Sequence, residues 1–162
     1  RVAERMKSRG VPLATAQVQF SLLTESNDEF VETCREFGIR PIAYSPLCLG
    51  ILTGKYSGSE AAPLPPPPRG WLFGALLGDR GLQDLIELLS EIGASRGKSA
   101  AQVAINWCIC KGAIPLVGVK TTQQAEENLG ATGWRLSSSE VAELDRAAQK
   151  APKTQPNPAS VP

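Results

Sequence analysis

Three short stretches of the chain combine an apolar run with side chains that could contact a ligand. They are residues 17–20 (QVQF), 44–47 (YSPL) and 118–121 (GVKT). The amide of Gln17 could pair with another amide, the ring of Tyr44 could stack on a planar group, and Lys120 beside a helix start could bind a phosphate. Each stretch also has a simpler interpretation: a solvated glutamine, a half-buried core tyrosine and an ordinary strand-to-helix turn.

The absence of histidine restricts the chemistry that this chain can perform alone. It excludes a Ser-His-Asp triad and a Cys-His dyad, and it excludes zinc or haem iron bound through imidazole. Acid–base chemistry would need Asp, Glu, Lys, Tyr or Cys, and the phenols are Tyr44 and Tyr56. The phosphate-loop pattern GxxxxGK(S/T) is absent, and the absence of GxGxxG counts against a Rossmann dinucleotide site.

Composition excludes further classes of protein. The chain has 162 residues, a net charge of +1 from 17 Lys and Arg against 16 Asp and Glu, and 42% hydrophobic residues. The near-neutral charge does not favour a nucleic-acid binder, and no apolar run approaches the ~18 residues of a membrane span. The 4 cysteines are irregularly spaced, which favours reduced, buried thiols in an intracellular protein over disulfides or a metal site.

Strands and helices are predicted to alternate along the chain. Apolar runs predict strands over residues 14–20, 39–44 and 114–119, although Pro41 cannot donate to a strand ladder. A helix with apolar positions from Leu82 to Ile92 follows a long loop over residues 45–80, and loops of that length are usually functional or disordered. Polar capping residues predict four further helix starts, at Ser26, Ser99, Thr121 and Ser137.

This order predicts an α/β fold with a parallel sheet covered by helices. Ligands of such folds gather at the carboxyl ends of the strands, which is where the three stretches are expected to lie. Three strands would leave both edges of the sheet open, and residues 1–10 read as the end of a helix. We therefore expect further strands upstream of Arg1.

Four motifs in one order resemble aldo-keto reductases. AYSPLCLGILTGKY (residues 43–56) resembles the seventh-strand motif of that family, and IPLVGVKTTQQAEENLGA (residues 114–131) resembles its eighth-strand cofactor motif. SAAQVAINW (residues 99–107) matches the helix between them, and VQFSLL (residues 18–23) matches the segment after the sixth-strand glutamine. The chain is most similar to the branch that includes potassium-channel β subunits and plant plastid-type reductases.

The resemblance implies a partial (β/α)₈ TIM barrel that binds NADP(H) in an extended pose. Residues 1–150 would be the C-terminal part of the reductase domain, with strands six to eight, and residues 151–162 would be a disordered proline-rich tail. Gln17 would contact the nicotinamide carboxamide and Tyr44 would stack under the nicotinamide ring. The phosphates and the adenosine would be bound by Ser45, Pro46, Leu47, Cys48, Lys55, Arg69 on a mobile loop, Gly118, Lys120, Gln124, Glu127 and Asn128.

Two departures from the family pattern qualify these expectations. Many members carry arginine where Gln124 stands, so we expect weaker binding of the 2′-phosphate, for which Lys120 could compensate. The family's Asp-Tyr-Lys-His tetrad lies on earlier strands, so no catalytic residue is expected in this chain, and Tyr44 is not the catalytic tyrosine.

Three functions remain open on the sequence. The whole protein could be an NADPH-dependent reductase of a small carbonyl substrate in the cytoplasm or the plastid stroma. It could instead be a regulatory subunit that senses NADPH without catalysis. The chain could also be an inactive truncated fragment that does not fold stably, and its oligomeric state cannot be inferred.

Overall fold

The computed structural model describes residues 2–25, 28–56, 60 and 62–154, and these form an α/β structure. A 3₁₀ segment, Cys48–Thr53, follows the second strand. The regular elements in chain order are α1 (Val2–Lys7), β1 (Thr15–Gln19), α2 (Asp28–Glu36), β2 (Arg40–Tyr44), α3 (Arg69–Leu76), α4 (Arg80–Ala94), α5 (Ala100–Cys110), β3 (Ile114–Leu116), α6 (Thr122–Leu129) and α7 (Ser138–Lys150).

The strands form one parallel sheet in the order β1-β2-β3, as predicted. One row across the sheet joins Gln19, Tyr44 and Leu116. Successive side chains alternate between the two faces of a strand, so Ala43 faces the core and is fully buried, whereas Leu116 on the opposite face is 55% exposed. The sheet therefore has one face covered by helices and one open face.

The strand β2 is central in this sheet despite Pro41. The backbone N–H of Arg40 donates to the carbonyl oxygen of Ala14, just before β1, at 2.9 Å. Because the backbone groups of successive residues point toward opposite neighbouring strands, those of Pro41 point toward β3. There the ladder begins only at Ile42, which pairs with Ile114. The missing N–H of Pro41 therefore costs no hydrogen bond. The strand β3 is shorter than predicted, because its partner β2 ends at Tyr44, opposite Leu116.

The loop predicted over residues 45–80 contains two helical segments. Besides the 3₁₀ segment, the helix α3 begins at Arg69, directly after Pro68. Proline is well suited to a helix start because its fixed φ is helical and a free N–H is not needed there. The ring of Phe73 anchors α3, since it is fully buried in the core.

The remaining helices follow their predicted signals. The apolar face of α4 is buried at Leu82, Leu85, Ile86, Leu89 and Ile92. Capping boxes open α5 at Ser99 and α7 at Ser137. Gly38 follows α2 with a left-handed φ of 67°, as expected of a C-terminal cap. Ser26, the predicted cap of α2, lies outside the described residues.

The core lies between the sheet and the helices α4, α5 and α7. Phe20, just after β1, stacks on Trp107 of α5 with ring centroids 5.1 Å apart. Within the described residues, no helix combines the length and the apolar character that a membrane crossing needs. The helices are thus packed against one face of the sheet, and the other face is exposed in this chain.

The segment after α7 is attached to the loop that follows β1. The backbone N–H of Thr154 donates to the carbonyl oxygen of Leu23 at 2.7 Å, and Lys153 Nζ donates to the carbonyl oxygen of Leu22 at 3.4 Å. Burial lowers the pKa of Lys153, against the attraction of Glu25. The start of the expected tail is therefore ordered as far as Thr154, and residues 155–162 lie outside the described residues.

Candidate functional site

The open face of the sheet carries two of the predicted ligand contacts. Tyr44 is the last residue of β2 and is half-buried, and Gln17 is exposed. Gln17 is not at the strand end, because β1 continues to Gln19, which pairs with Tyr44. The two side chains lie on the same face, two rows of the sheet apart.

A strained turn follows Tyr44. Ser45, Cys48 and Leu49 have φ angles of 57°, 48° and 57°, and left-handed backbone costs an ordinary residue about 1–3 kcal/mol unless its surroundings enforce it. Here the N–H of Cys48 donates to Ser45 O at 2.9 Å, and Thr53 Oγ1 donates to Gly50 O at 2.6 Å. The turn, residues 45–50, is therefore held in one conformation at the carboxyl end of β2.

Buried side chains of this turn anchor it to the rest of the fold. Pro46 is buried and Leu47 is half-buried, and Cys48 lies with its Sγ 3.6 Å from Thr154 Oγ1. Burial raises the pKa of the Cys48 thiol, against the opposing effect of that hydrogen bond. Cys48 is accordingly a neutral packing residue, and any contact with a ligand would come from its backbone. No sequence pattern predicted the contact of Thr154 with the turn, because the two segments come together only when the chain folds.

Two cations lie beside the turn. Lys55 Nζ is 4.8 Å from the ring centroid of Tyr56, and the guanidinium carbon of Arg69 is 5.9 Å from the same centroid. Arg69 also donates from Nη1 to Leu49 O and from Nη2 to Tyr56 Oη, each at 3.4 Å. Among the described residues, neither cation forms an ion pair with a carboxylate. The pair can therefore bind an anion without first breaking a salt bridge.

The start of α6 forms a second polar group. Thr121 caps the helix by accepting from the N–H of Gln124 at 3.2 Å, and Gln124 Oε1 accepts from the N–H of Lys120 at 2.8 Å. Lys120 is exposed. A Cβ built on Gly118 would meet nothing within 4 Å, so the backbone there is open to close approach. Gln124 braces the helix start with its oxygen, which leaves its amide nitrogen to donate to a ligand.

The other end of α6 carries Glu127 and Asn128. Glu127 is exposed and Asn128 is half-buried. Gln102 of α5 donates from Nε2 to the carbonyl oxygen of Glu127 at 2.7 Å. A Cβ on Gly130 would stand 2.2 Å from that nitrogen, so glycine leaves the room for the bond. The capping signal at Ser99 predicted the start of α5, but nothing local predicted the contact of Gln102 with α6.

Apart from Gln17 in β1, the predicted residues thus fall into two groups. Residues 44–48, Lys55 and Arg69 gather at the end of β2, whereas Gly118 and the residues of α6 lie after β3. No hydrogen bond or ion pair between described residues joins the groups. Their groups are chemically suited to a dinucleotide phosphate: cations that pair with no carboxylate among the described residues, a helix start and an open glycine backbone.

Comparison with known proteins identifies the family. Residues 1–149 match the aldo/keto reductase family. The chain is 51% identical over 156 residues to a chloroplastic pyridoxal reductase of Arabidopsis thaliana, a match that covers 95% of this chain and 41% of that protein. It is 28% identical over 163 residues to an L-glyceraldehyde 3-phosphate reductase of Escherichia coli (strain K12), covering 90% of this chain and 44% of that protein.

Solved structures agree on the fold. A glycerol dehydrogenase from Gluconobacter oxydans superposes with a TM-score of 0.74 at 22% identity, over 96% of this chain and 49% of that one. An aldose reductase from Schistosoma japonicum gives 0.60 at 21% identity, over 90% of this chain and 36% of that one. The chain belongs to the aldo/keto reductase family of oxidoreductases. It spans about two fifths of the length of the curated relatives that it matches.

Proposed function

We propose that this chain is the cofactor-binding part of an NADPH-dependent aldo-keto reductase, with β1, β2 and β3 as strands six to eight of its barrel. The observation that carries the proposal is the pair of cations, Lys55 and Arg69, beside the turn after β2: both contact the ring of Tyr56, and neither pairs with a carboxylate in the part of the chain that the structure describes. Family membership supports a nicotinamide dinucleotide as the ligand of this arrangement. The whole protein would transfer a hydride from the bound nicotinamide to a carbonyl carbon.

Each group of residues then has a defined task. Gln17 would hydrogen-bond the carboxamide, and Tyr44 would support the planar nicotinamide ring from the open face of the sheet. The turn of residues 45–48 would offer backbone donors to the pyrophosphate, and Lys55 and Arg69 would neutralise it. None of these side chains moves a proton, so the chain alone is expected to be inactive.

The adenosine end would be bound by α6 and the residues before it. Lys120 would pair with the 2′-phosphate, close to the open backbone of Gly118. Gln124 would add one amide donor, and Glu127 and Asn128 would accept from the adenine amine. Because the residue at position 124 is neutral, the preference for NADPH over NADH would depend mainly on Lys120.

The substrate and the compartment are proposed from the similar Arabidopsis protein. Since that protein is named a chloroplastic pyridoxal reductase, an aromatic aldehyde such as pyridoxal is the first substrate to assay. The plastid stroma is the corresponding compartment. Turnover of NADPH with pyridoxal by the whole protein would support an enzyme, whereas cofactor binding without turnover of any aldehyde would favour a regulatory subunit.

Cofactor binding can be measured on this chain by following NADPH fluorescence. We expect saturable binding that is tighter for NADPH than for NADH. The variant Lys120→Met should lose about tenfold in NADPH affinity, the value of one charged hydrogen bond, with little effect on NADH. Lys150→Met, which removes an exposed lysine at the end of α7, is the matched control. No saturable binding, or an equal loss for both nucleotides, would contradict the proposal.

A further inference from the structure

Tyr56 contacts both of the cations beside the turn, Lys55 and Arg69. Lys55 Nζ lies 4.8 Å and the Arg69 guanidinium 5.9 Å from the centroid of its ring. Two positive charges near each other repel, and the negative face of an aromatic ring offsets part of that repulsion. The hydroxyl oxygen of Tyr56 also accepts from Arg69 Nη2 at 3.4 Å. One side chain therefore contacts both cations.

The ring itself is fixed from two sides. Its centroid is 5.2 Å from that of Phe73 in an edge-to-face arrangement, and Phe73 is fully buried. On the other side, Tyr56 Cε2 would lie 3.7 Å from a Cβ built on Gly50, where φ is 104°. The ring is thus held between the strained turn and α3.

Arg69 connects the same two elements. It is the first residue of α3, and its Nη1 donates to the carbonyl oxygen of Leu49 in the turn at 3.4 Å. Leu49 is one of the left-handed residues, with a φ of 57°. Both of the hydrogen bonds of Arg69 are long, so a better acceptor can displace them.

We infer that Tyr56 is a positioning residue of the phosphate subsite: its ring gathers Lys55 and Arg69 so that one diphosphate can contact both. The identity of this ligand rests on the proposed function, but the positioning does not. A phosphate oxygen is a stronger acceptor than an aromatic face or a phenol. The cations would exchange the ring for the diphosphate with little loss of side-chain freedom, because the ring has already confined them.

Variants of Tyr56 separate the ring from its hydroxyl. Tyr56→Leu removes both, and Tyr56→Phe keeps the ring. Titration calorimetry with inorganic pyrophosphate should show about tenfold weaker binding for Tyr56→Leu, the range expected for loss of preorganisation of two charged contacts, and a change within about threefold for Tyr56→Phe. Trp71→Leu is the control, because it removes an aromatic ring from α3 that is 73% exposed.

A second measurement needs no variant that might unfold. In ¹H–¹³C correlation NMR spectra of the unligated wild-type chain, the ring of Tyr56 should displace the chemical shifts of the side-chain methylenes of Lys55 and Arg69. Pyrophosphate should move both sets of resonances together. Tyr56→Phe should keep the shifts of the unligated chain. Tyr56→Leu should abolish the shift of Lys55 and reduce that of Arg69, whose guanidinium carbon also lies 5.7 Å from the centroid of the Phe73 ring.

The outcomes distinguish this inference from the proposed function. The role of Tyr56 would be overturned if the wild type showed no ring shifts, or if its resonances did not move when pyrophosphate was added. Equal pyrophosphate affinity of wild type and Tyr56→Leu would also overturn it. Pyrophosphate binding with the expected loss in Tyr56→Leu, but with no binding of NADPH, would uphold the role of Tyr56 and overturn the proposed function.

Discussion

Gln102 donates a 2.7 Å hydrogen bond to the carbonyl oxygen of Glu127, while its own oxygen accepts from the N–H of Ser99 at 3.0 Å. One amide group thus caps α5 and attaches the end of α6 to it. None of the eight residues of α6, all of which the structure describes, is buried. With so little apolar packing, α6 depends on polar contacts such as this one for its position.

Replacing Gln102 by Glu is predicted to loosen α6 selectively. A carboxylate can still accept from Ser99, but it cannot donate to Glu127 and would repel its carbonyl oxygen. Amides of Thr122–Leu129 should exchange with deuterium about fivefold faster, since a lost hydrogen bond is worth about 1 kcal/mol. Amides of Arg80–Ala94 should be unchanged, and mass spectrometry of peptides measures both.

Gly130→Ala tests the same attachment from the other partner. Its Cβ would stand 2.2 Å from Gln102 Nε2, so the amide must move away. The backbone of Gly130 has a φ of −62°, which alanine adopts without strain. If α6 exchanged at the wild-type rate in both variants, Gln102 would not be what holds it.

Asn106 is predicted to be essential for stability. It is fully buried and donates to the carbonyl oxygens of Ala131 and Trp134 at 2.9 Å each, while it accepts from the N–H of Leu136 at 3.0 Å. Asn106→Ala would leave these buried groups without partners, at about 1–3 kcal/mol each before relaxation. We expect the free energy of unfolding in urea to fall by about 2–4 kcal/mol.

Two comparisons make the Asn106 prediction specific. Gln149→Ala, an exposed change on α7, should alter the free energy by less than about 0.5 kcal/mol. Asn106→Asp keeps the acceptor for Leu136 but loses both donated bonds and buries a charge, so it should be at least as destabilising at pH 7 and less so in acid. A loss below about 1 kcal/mol for Asn106→Ala would contradict the assigned role.

The cysteines are predicted to differ in reactivity. Burial raises the pKa of Cys108 to about 12, against a backbone hydrogen bond, and burial also raises the pKa of Cys34 and Cys48. Cys110 is the one cysteine that is not buried. Because the thiolate is the nucleophile, iodoacetamide at pH 8 should modify Cys110 first.

Peptide mapping after timed alkylation checks this order. All 4 cysteines should react in urea, which is the control for reagent access. Early modification of Cys108 in the folded chain would show that its surroundings open far more readily than the packed core suggests.

Glu140 is predicted to make stability depend on pH. Burial raises its pKa, but hydrogen bonds from Ser137 and the interaction with Arg96 outweigh this effect and hold the pKa below its ordinary value of 4.5. A carboxyl with a lowered folded-state pKa stabilises the fold above its unfolded value, and this stabilisation is lost as the pH falls through the folded value.

The variant Glu140→Gln measures that contribution. At pH 7 it should cost about 1 kcal/mol, the usual value of a helix cap with a partly exposed ion pair. The difference from wild type should shrink as the pH falls below about 4.5. Glu143→Gln, an exposed change on the same helix, should show no such trend. A difference independent of pH would mean that packing, not charge, explains the effect.

Local signals predicted the elements whose causes are local. The helices α5 and α7 follow capping boxes within four residues of chain, and the parallel sheet follows from the order of elements. The end of β3 was predicted too late because a strand ends where its partner does, and that partner is distant in sequence. The helix α3 was missed because proline and glycine surround it, and the burial of Phe73 outweighs their preferences.

The same limit applies to the candidate site. The family motifs marked Tyr44, Lys55 and Lys120, but no motif predicted that Tyr56 would contact two cations or that Thr154 would meet Cys48. Tyr56 contacts Arg69 across 13 residues and Cys48 contacts Thr154 across 106 residues, and this geometry exists only after the core has packed. Sequence reasoning therefore proposed candidate ligand contacts, but it did not propose the residues that position them.

The contact of Thr154 with Leu23 joins positions 131 residues apart, and it has a consequence for synthesis. A ribosome releases the chain from its amino end at about 5–20 residues per second. Leu23 and Cys48 therefore leave the ribosome several seconds before Thr154 exists to meet them. During that interval the strained turn that contains Cys48 lacks its contact with Thr154. We therefore expect this turn to be among the last parts of the nascent chain to reach its folded conformation.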